Sequence, residues 1–227
     1  MGQSRYRSGV RRRHLRSRSA AVGGRTKRAF DVAVSAVLLA AGWPVGVLIA
    51  LLVRATSKGP ALYRQTRLGL HGRPFTILKF RTMHVDAEPN GLALWAVEDD
   101  PRCTRVGGVL RRYGLDELPQ LWNVLRGDMS LVGPRPERPE FARKFQKRWP
   151  GFSQRLASRG GITGLAQVRG LRGDSDVAAR LVADLEYITR WSLARDVAII
   201  LRTVPSVVVA DRSAQPESER LGATASE

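Results

Sequence analysis

Residues 29–53 read AFDVAVSAVLLAAGWPVGVLIALLV, the most apolar run in the 227-residue chain. A straight helix needs roughly 20 residues to cross a hydrocarbon core, and this run has 25. Gly42-Trp43-Pro44 falls at its middle, and an interior proline removes a backbone hydrogen bond and kinks or breaks a helix. Each half is then about 11–15 residues, or roughly 16–22 Å at about 1.5 Å per residue, too short to cross alone. Both flanks are basic: Arg25, Lys27 and Arg28 before, and Arg54, Lys58, Arg64 and Arg67 after. Positive flanks stay on the cytosolic side, so both ends are expected there. A helix that enters, turns at Pro44 and leaves by the same face meets both conditions. A single-pass anchor and a buried core helix are the alternatives.

The charge balance narrows the partners. Lys and Arg number 38 against 20 Asp and Glu, a formal charge of +18. Such an excess favours a polyanion: nucleic acid, anionic lipid or a phosphorylated substrate. Residues 1–28 hold ten of the cations and no acid, and read as a disordered basic arm, so the rest is less basic than the total implies. One cysteine, Cys103, excludes an internal disulfide and a Cys-rich metal site, and three scattered histidines give no metal-ligand spacing.

Past Arg54 the chain reads as a separate body, residues 54–210, with a disordered tail over 211–227. PALYRQTRLGLHGRPFTILKFRTM (60–83) has two β-favouring runs around a Gly-containing turn, a hairpin. Residues 84–104 are loop-like. Short helices are expected over 104–114 and 116–127, a longer one from 140 to Trp149, and two more over 175–191 and 192–210. Residues 160–173 read as a Gly-rich loop. The last helix has an apolar stripe that suits the core or a membrane surface.

LDELPQLWN (115–123) sets Asp116 and Glu117 side by side, with Pro119 close behind. The plain reading is a helix N-cap at Asp116. Arg111 and Arg112 upstream and Arg126 downstream suggest more, because a carboxylate at a helix N-terminus among guanidiniums is expected to have a lowered pKa. An ionised Asp can attack phosphorus, and adjacent carboxylates converge on a small target such as a Mg²⁺ ion carried by a diphosphate. Gly133-Pro134-Arg135-Pro136 presents one guanidinium from a stiff turn, suited to bidentate phosphate contact. LKFRTM (78–83) places Lys79 and Arg81 on one strand face. SRGGITGLAQVRG (158–170) has glycines that let backbone N–H groups approach phosphate, with Arg159 and Arg169 near its ends. Phosphate chemistry at a membrane surface unites the acid pair, the loop cations and the apolar segment.

In order, KRAFDVAVSAVLLAAGWPVGVLIALLV, ILKFRTM, LDELPQLWNVLRGDMSLVGPRP, GITGLAQVRG and DLEYITRWSLARDVAIILRTV resemble the bacterial sugar transferases, the monotopic polyprenyl-phosphate hexose-1-phosphate transferases. The resemblance covers about residues 27–205. It implies an α+β fold: a mostly helical cytosolic domain with a small β-hairpin, anchored by a re-entrant helix broken at Pro44. It implies transfer of a sugar-1-phosphate from a UDP-sugar to undecaprenyl phosphate with release of UMP and with Mg²⁺ as cofactor. Asp116 is then the nucleophile and Glu117 assists as metal ligand, and Lys79, Arg111, Arg135 and Arg159 match the family's cations; with Arg81 from the strand face, they are expected to bind substrate phosphate. GLRGDSD with DLEYITRWSL leans toward the glucose and galactose members.

The expected site is the inner face of the bacterial cytoplasmic membrane, in surface glycan synthesis such as exopolysaccharide. Membrane lipid is a partner and nucleic acid is not; a homodimer is a further expectation. The resemblance implies an extra N-terminal membrane domain in many relatives, and this chain is expected to have its basic arm there instead. Two departures stand out. Gly114 replaces the Ser or Thr often found there, removing a hydroxyl near the nucleophile. Gly160 replaces the Pro usual before GITG, and is expected to loosen that loop.

Overall fold

The computed structural model describes residues 21–88, 94, 100–171 and 176–209. Most of the expected basic arm, the tail, much of the 84–104 loop and most of GLRGDSD lie outside the described residues.

Helix α1 spans Gly24–Thr56, starting before the expected residue 29 and carrying Pro44 in its interior. One helix, not two, is traced through the proline. It ends where Ser57 turns extended and its backbone N–H and hydroxyl both bond the Val53 carbonyl, followed by Gly59 at φ 104° and Pro60. The helix is long and apolar enough to cross a membrane, and only 11% of its most apolar window is buried, unlike the core helix of a soluble protein. Val37, Trp43, Val47, Leu48 and Leu51 are exposed along it. Its other face packs on the rest of the chain at both ends. Phe30, Val34 and Leu39 join one core cluster, and Ile49 and Val53 another, with Phe80 and Leu110.

The hairpin is present: β1 (Leu62–Leu68) pairs antiparallel with β2 (Pro74–Phe80), Tyr63 opposite Lys79. His71 takes φ 55° in the turn. Helix α2 (Arg105–Arg112) is capped by Thr104, whose hydroxyl accepts from Gly107 N–H.

The helix expected over 116–127 is two pieces. Leu115–Glu117 forms a single 3₁₀ turn entered through Gly114 at φ 63°, and α3 runs Gln120–Arg126 with Pro119 at its cap. Asp116 therefore does not cap α3; Pro119 holds that cap, where its missing N–H costs no helical bond. The φ of Gly114 also explains its departure, because a Ser or Thr there would be strained.

Strands β3 (Met129–Val132) and β4 (Gly160–Thr163) pair in parallel, with α4 (Pro139–Arg148) and a 3₁₀ turn at Phe152–Ala157 between them. A strand and the short helix α5 (Leu165–Val168) thus occupy the expected Gly-rich loop. Its glycines serve close backbone packing rather than an open phosphate cradle. A Cβ on Gly161 would meet Gly133 N at 2.1 Å, and one on Gly164 would meet Gly133 O at 2.2 Å. Gly160 is likewise tight, not loose: its Cβ would stand 2.9 Å from that of Pro136.

Helices α6 (Val177–Thr189) and α7 (Leu193–Val209) close the fold as expected. Ile199 of α7 enters the main core with Leu121, Val124, Met129, Val132 and Tyr187.

Candidate active site

Three elements meet at the acid pair. Strand β2 brings Lys79, the 3₁₀ turn brings Asp116 and Glu117, and the segment after β3 brings Arg135. Asn123 of α3 holds β2 in place: its side-chain oxygen accepts from Leu78 N–H at 3.0 Å and its amide donates to Thr76 O at 2.8 Å. This buried amide replaces a strand partner on either side of Ile77, close to Lys79.

Lys79 Nζ lies 2.6 Å from Glu117 Oε1 and 3.7 Å from Asp116 Oδ2. Arg135 grips Glu117 with both ends of its guanidinium, Nη2 to Oε1 at 2.5 Å and Nη1 to Oε2 at 3.3 Å. The two acids therefore differ sharply. Both oxygens of Glu117 are engaged. Asp116 is buried, yet among the described residues it accepts no side-chain hydrogen bond, and Lys79 is its ion-pair contact.

Their proton affinities diverge accordingly. Burial pushes the Asp116 carboxyl above its ordinary range; Lys79 pulls it down and Glu117 pushes it further up. This reverses the lowering expected from a helix N-terminus, because no helix starts at Asp116 and desolvation outweighs the nearby cations. Burial would also raise Glu117, but Arg135 and Lys79 overcome that and hold its carboxyl well below the usual value.

The pair opens into a cavity of about 790 Å³ lined also by Tyr63, Arg67, Arg111, Glu137 and Arg138. Arg111 reaches this cavity, with one guanidinium nitrogen 2.8 Å from Cys103 Sγ. Arg81 lies beyond the end of β2, and its Nη2 donates to the Ser57 carbonyl and hydroxyl, tying the strand to the end of α1. Arg159 is not among the cavity residues. It donates to Gly127 O at the end of α3, beside Arg28, which bonds the Val124 and Leu125 carbonyls there. The sequence thus brings Lys79, Asp116, Glu117 and Arg135 together, with Arg111 and Arg81 on the cavity wall, Arg81 also bonding the end of α1; Arg159 serves the end of α3.

Residues outside the sequence expectations line the same space. Arg67 is deeply placed, donating to Pro136 O and Gln65 Oε1. Burial lowers its pKa to about 10 against the pull of Glu137. Tyr63, Gln65 and Arg67 alternate along β1 on the face that Tyr63 shares with Lys79, and that period-2 pattern in YRQTR was the available signal. Arg155 and Asp184 carried no such pattern, since a contact between a 3₁₀ turn and a distant helix leaves no local trace.

A model of the family described as bacterial sugar transferase matches residues 22–210. The chain is 50% identical over 191 residues, 82% of it and 71% of the relative, to the UDP-glucose:undecaprenyl-phosphate glucose-1-phosphate transferase of Caulobacter vibrioides. It is 44% identical over 185 residues to the undecaprenyl-phosphate glucose phosphotransferase of Komagataeibacter xylinus, covering 78% of this chain but 35% of that longer relative. The exopolysaccharide production protein ExoY of Rhizobium meliloti is 39% identical over 200 residues, 82% of this chain and 87% of ExoY.

Proposed function

The chain belongs to the bacterial sugar transferase family and is a phosphoglycosyl transferase, and on that premise we propose that it moves a hexose-1-phosphate, glucose first among candidates, from a UDP-sugar to undecaprenyl phosphate, releasing UMP. The observation that carries the reading is the asymmetry of the acid pair: Glu117 is clamped by two cations, while Asp116 faces a large cation-lined cavity with Lys79 at 3.7 Å and no side-chain hydrogen bond among the described residues.

An Asp116 oxygen attacks the phosphorus that bears the sugar, and the bond from that phosphorus to the oxygen of UMP breaks. UMP leaves with the bond's electron pair, and the sugar phosphate stays on Asp116 as an acyl phosphate. A phosphate oxygen of undecaprenyl phosphate then attacks the same phosphorus, and Asp116 departs as carboxylate. Lys79, Arg135 and Arg111 line the path where negative charge grows, and fixed cations in a part-buried site stabilise it more than water does. Arg135 and Lys79 keep Glu117 ionised and still beside the nucleophile.

Among the described residues no cluster of three or more His, Cys, Asp or Glu is placed to hold a metal. Asp116, which takes no side-chain hydrogen bond among the described residues, fits Mg²⁺ in its usual manner, one or two carboxylates completed by substrate phosphates. Asp116 would hold it, with Glu117 joining as second carboxylate where Lys79 or Arg135 gives up an oxygen, and the ion, when bound, would neutralise diphosphate charge.

Helix α1 is read as a re-entrant membrane anchor that carries Pro44 in its interior and stays one helix. Support comes from its two ends, which both fasten to one catalytic body: Lys27 to Asp196, and Val53 against Phe80 and Leu110. A helix with its ends on opposite sides of a bilayer would carry one of these contacts away. The catalytic body then lies on the inner face of the cytoplasmic membrane, at the first lipid-linked step of exopolysaccharide synthesis.

The test is UMP release by the full chain in detergent with undecaprenyl phosphate and a panel of UDP-sugars, N-acetylated ones included. UDP-glucose is expected to give the highest kcat/KM. Without acceptor, the peptide holding Asp116 should gain the mass of a hexose phosphate. Asp116→Asn should lose at least about 10³-fold in turnover. Strictly sequential kinetics, or an active Asp116→Asn, overturns the covalent route.

A further inference from the structure

Arg135 clamps Glu117 from a turn, and turns move unless something holds them. Its backbone is held from beneath. Arg155, in the 3₁₀ turn after α4, sends Nη2 to the Arg135 carbonyl at 2.9 Å. The same nitrogen stands 2.6 Å from Asp184 Oδ2 on α6. Arg155 and Asp184 are 6% and 2% exposed, and the guanidinium lies over the Phe152 ring with 4.8 Å to its centroid. Nη1 of Arg155 is 3.6 Å from Glu137 Oε1, so the fork cannot rotate without leaving one acid.

A buried ion pair is a poor source of stability, because desolving two charges offsets most of their attraction. This one is fixed between α6 and the turn that presents a clamp. We propose that Asp184, acting through Arg155, is a positioning residue for Arg135 and hence for Glu117 and the nucleophile beside it. Asp184 holds the Arg155 guanidinium in place as its ion-pair partner, and the Nη2 so placed donates to the Arg135 carbonyl. The Arg135 side chain can then meet both oxygens of Glu117. That bidentate contact tolerates little displacement, and an error of about 1 Å in a positioned group can cost about 10²-fold in rate. The inference rests on the function proposed above for this site.

The test uses the full chain in detergent, with UMP release and UDP binding by calorimetry as two readouts. Asp184→Asn and Arg155→Lys should each lower kcat by about 10–10² fold while KM for the UDP-sugar moves less than about threefold. Arg155→Lys retains the charge facing Asp184 and Glu137 but lacks the fork, so it serves if Asp184→Asn folds poorly. The decisive variant is the double mutant with Arg135→Ala. If Asp184 works through Arg135, Arg135→Ala alone and together with Asp184→Asn should have equal kcat and equal UDP affinity. Additive losses, or wild-type kcat in both single variants, overturn the inference and leave the function standing. A wild-type chain that neither binds UDP nor releases UMP overturns both.

Discussion

Lys27 and Lys79 each stand between two carboxylates at nearly the same distances. Lys27 is 2.6 Å from Asp196 and 3.9 Å from Asp31; Lys79 is 2.6 Å from Glu117 and 3.7 Å from Asp116. The first cluster, at the root of α1, is closed. Tyr187 OH and Trp191 Nε1–H donate to Asp196, and the Leu131 N–H donates to Asp31. The Lys27, Asp31 and Asp196 side chains are at most 4% exposed. The second cluster has the same charges but keeps one acid without such donors, beside a cavity. A Lys between two acids joins elements when the acids' lone pairs are filled from every side, and makes a reactive site when one carboxylate is left for a substrate.

Exchanging each lysine separates these uses. Lys79→Met should cost about 10²–10³ fold in kcat/KM for UMP release, with a small change in melting temperature. Lys27→Met should do the reverse. Leaving buried acids unpaired costs about 3–5 kcal/mol, which for a chain of this size lowers the melting temperature by roughly 6–20 °C, with activity per folded molecule retained. Equal losses of activity from both would erase the distinction.

Proton linkage sharpens the contrast within the second cluster. Because burial raises the Asp116 pKa, its ionised form is lost at a higher pH than for an ordinary Asp. The acid limb of kcat/KM against pH should therefore lie above 3.8, the ordinary Asp value, and vanish in Asp116→Glu only if catalysis vanishes with it.

The smallest effect is a difference in sign. A raised folded pKa means that ionised Asp116 weakens the fold above that pKa, so inactive Asp116→Asn should melt higher, by about 2–4 °C per kcal/mol gained. Glu117 has a depressed pKa: its contribution is present above 4.5, its ordinary value, and fades as pH falls below that. Glu117→Gln should melt lower than wild type at neutral pH. Melting shifts of one sign in both would contradict the assignment of which acid is held and which is exposed to chemistry.

Much of this was legible in the chain. Hydropathy announced α1, β-propensity around Gly-containing residues announced the hairpin, and the acid pair with Lys79 and Arg135 was named from motif and charge. What escaped was set by contacts distant in sequence. Asp116 was expected to be acidic because a helix start was inferred; Pro119 moved that start and left burial in control. Arg159 carried the right charge for phosphate, but the Gly127 carbonyl at the end of α3 took it and it lies off the cavity; Arg81 lines the cavity and bonds the end of α1 as well. Asp184 and Arg155 had no local pattern, since their meeting depends on how α6 lies over the turn.

The crossing of Gly133 with Gly161 and Gly164 sets a final constraint. Backbone meets backbone there with no room for a Cβ, so the distance between the two segments is a fixed gauge that no side-chain exchange can adjust. Arg135 follows two residues after Gly133 and inherits that fixed position. Tyr63 and Gln65 of β1 line the same cavity with side chains and carry no such constraint. Divergence of sugar preference on this scaffold should therefore accumulate on β1, while the Gly133 side stays constant.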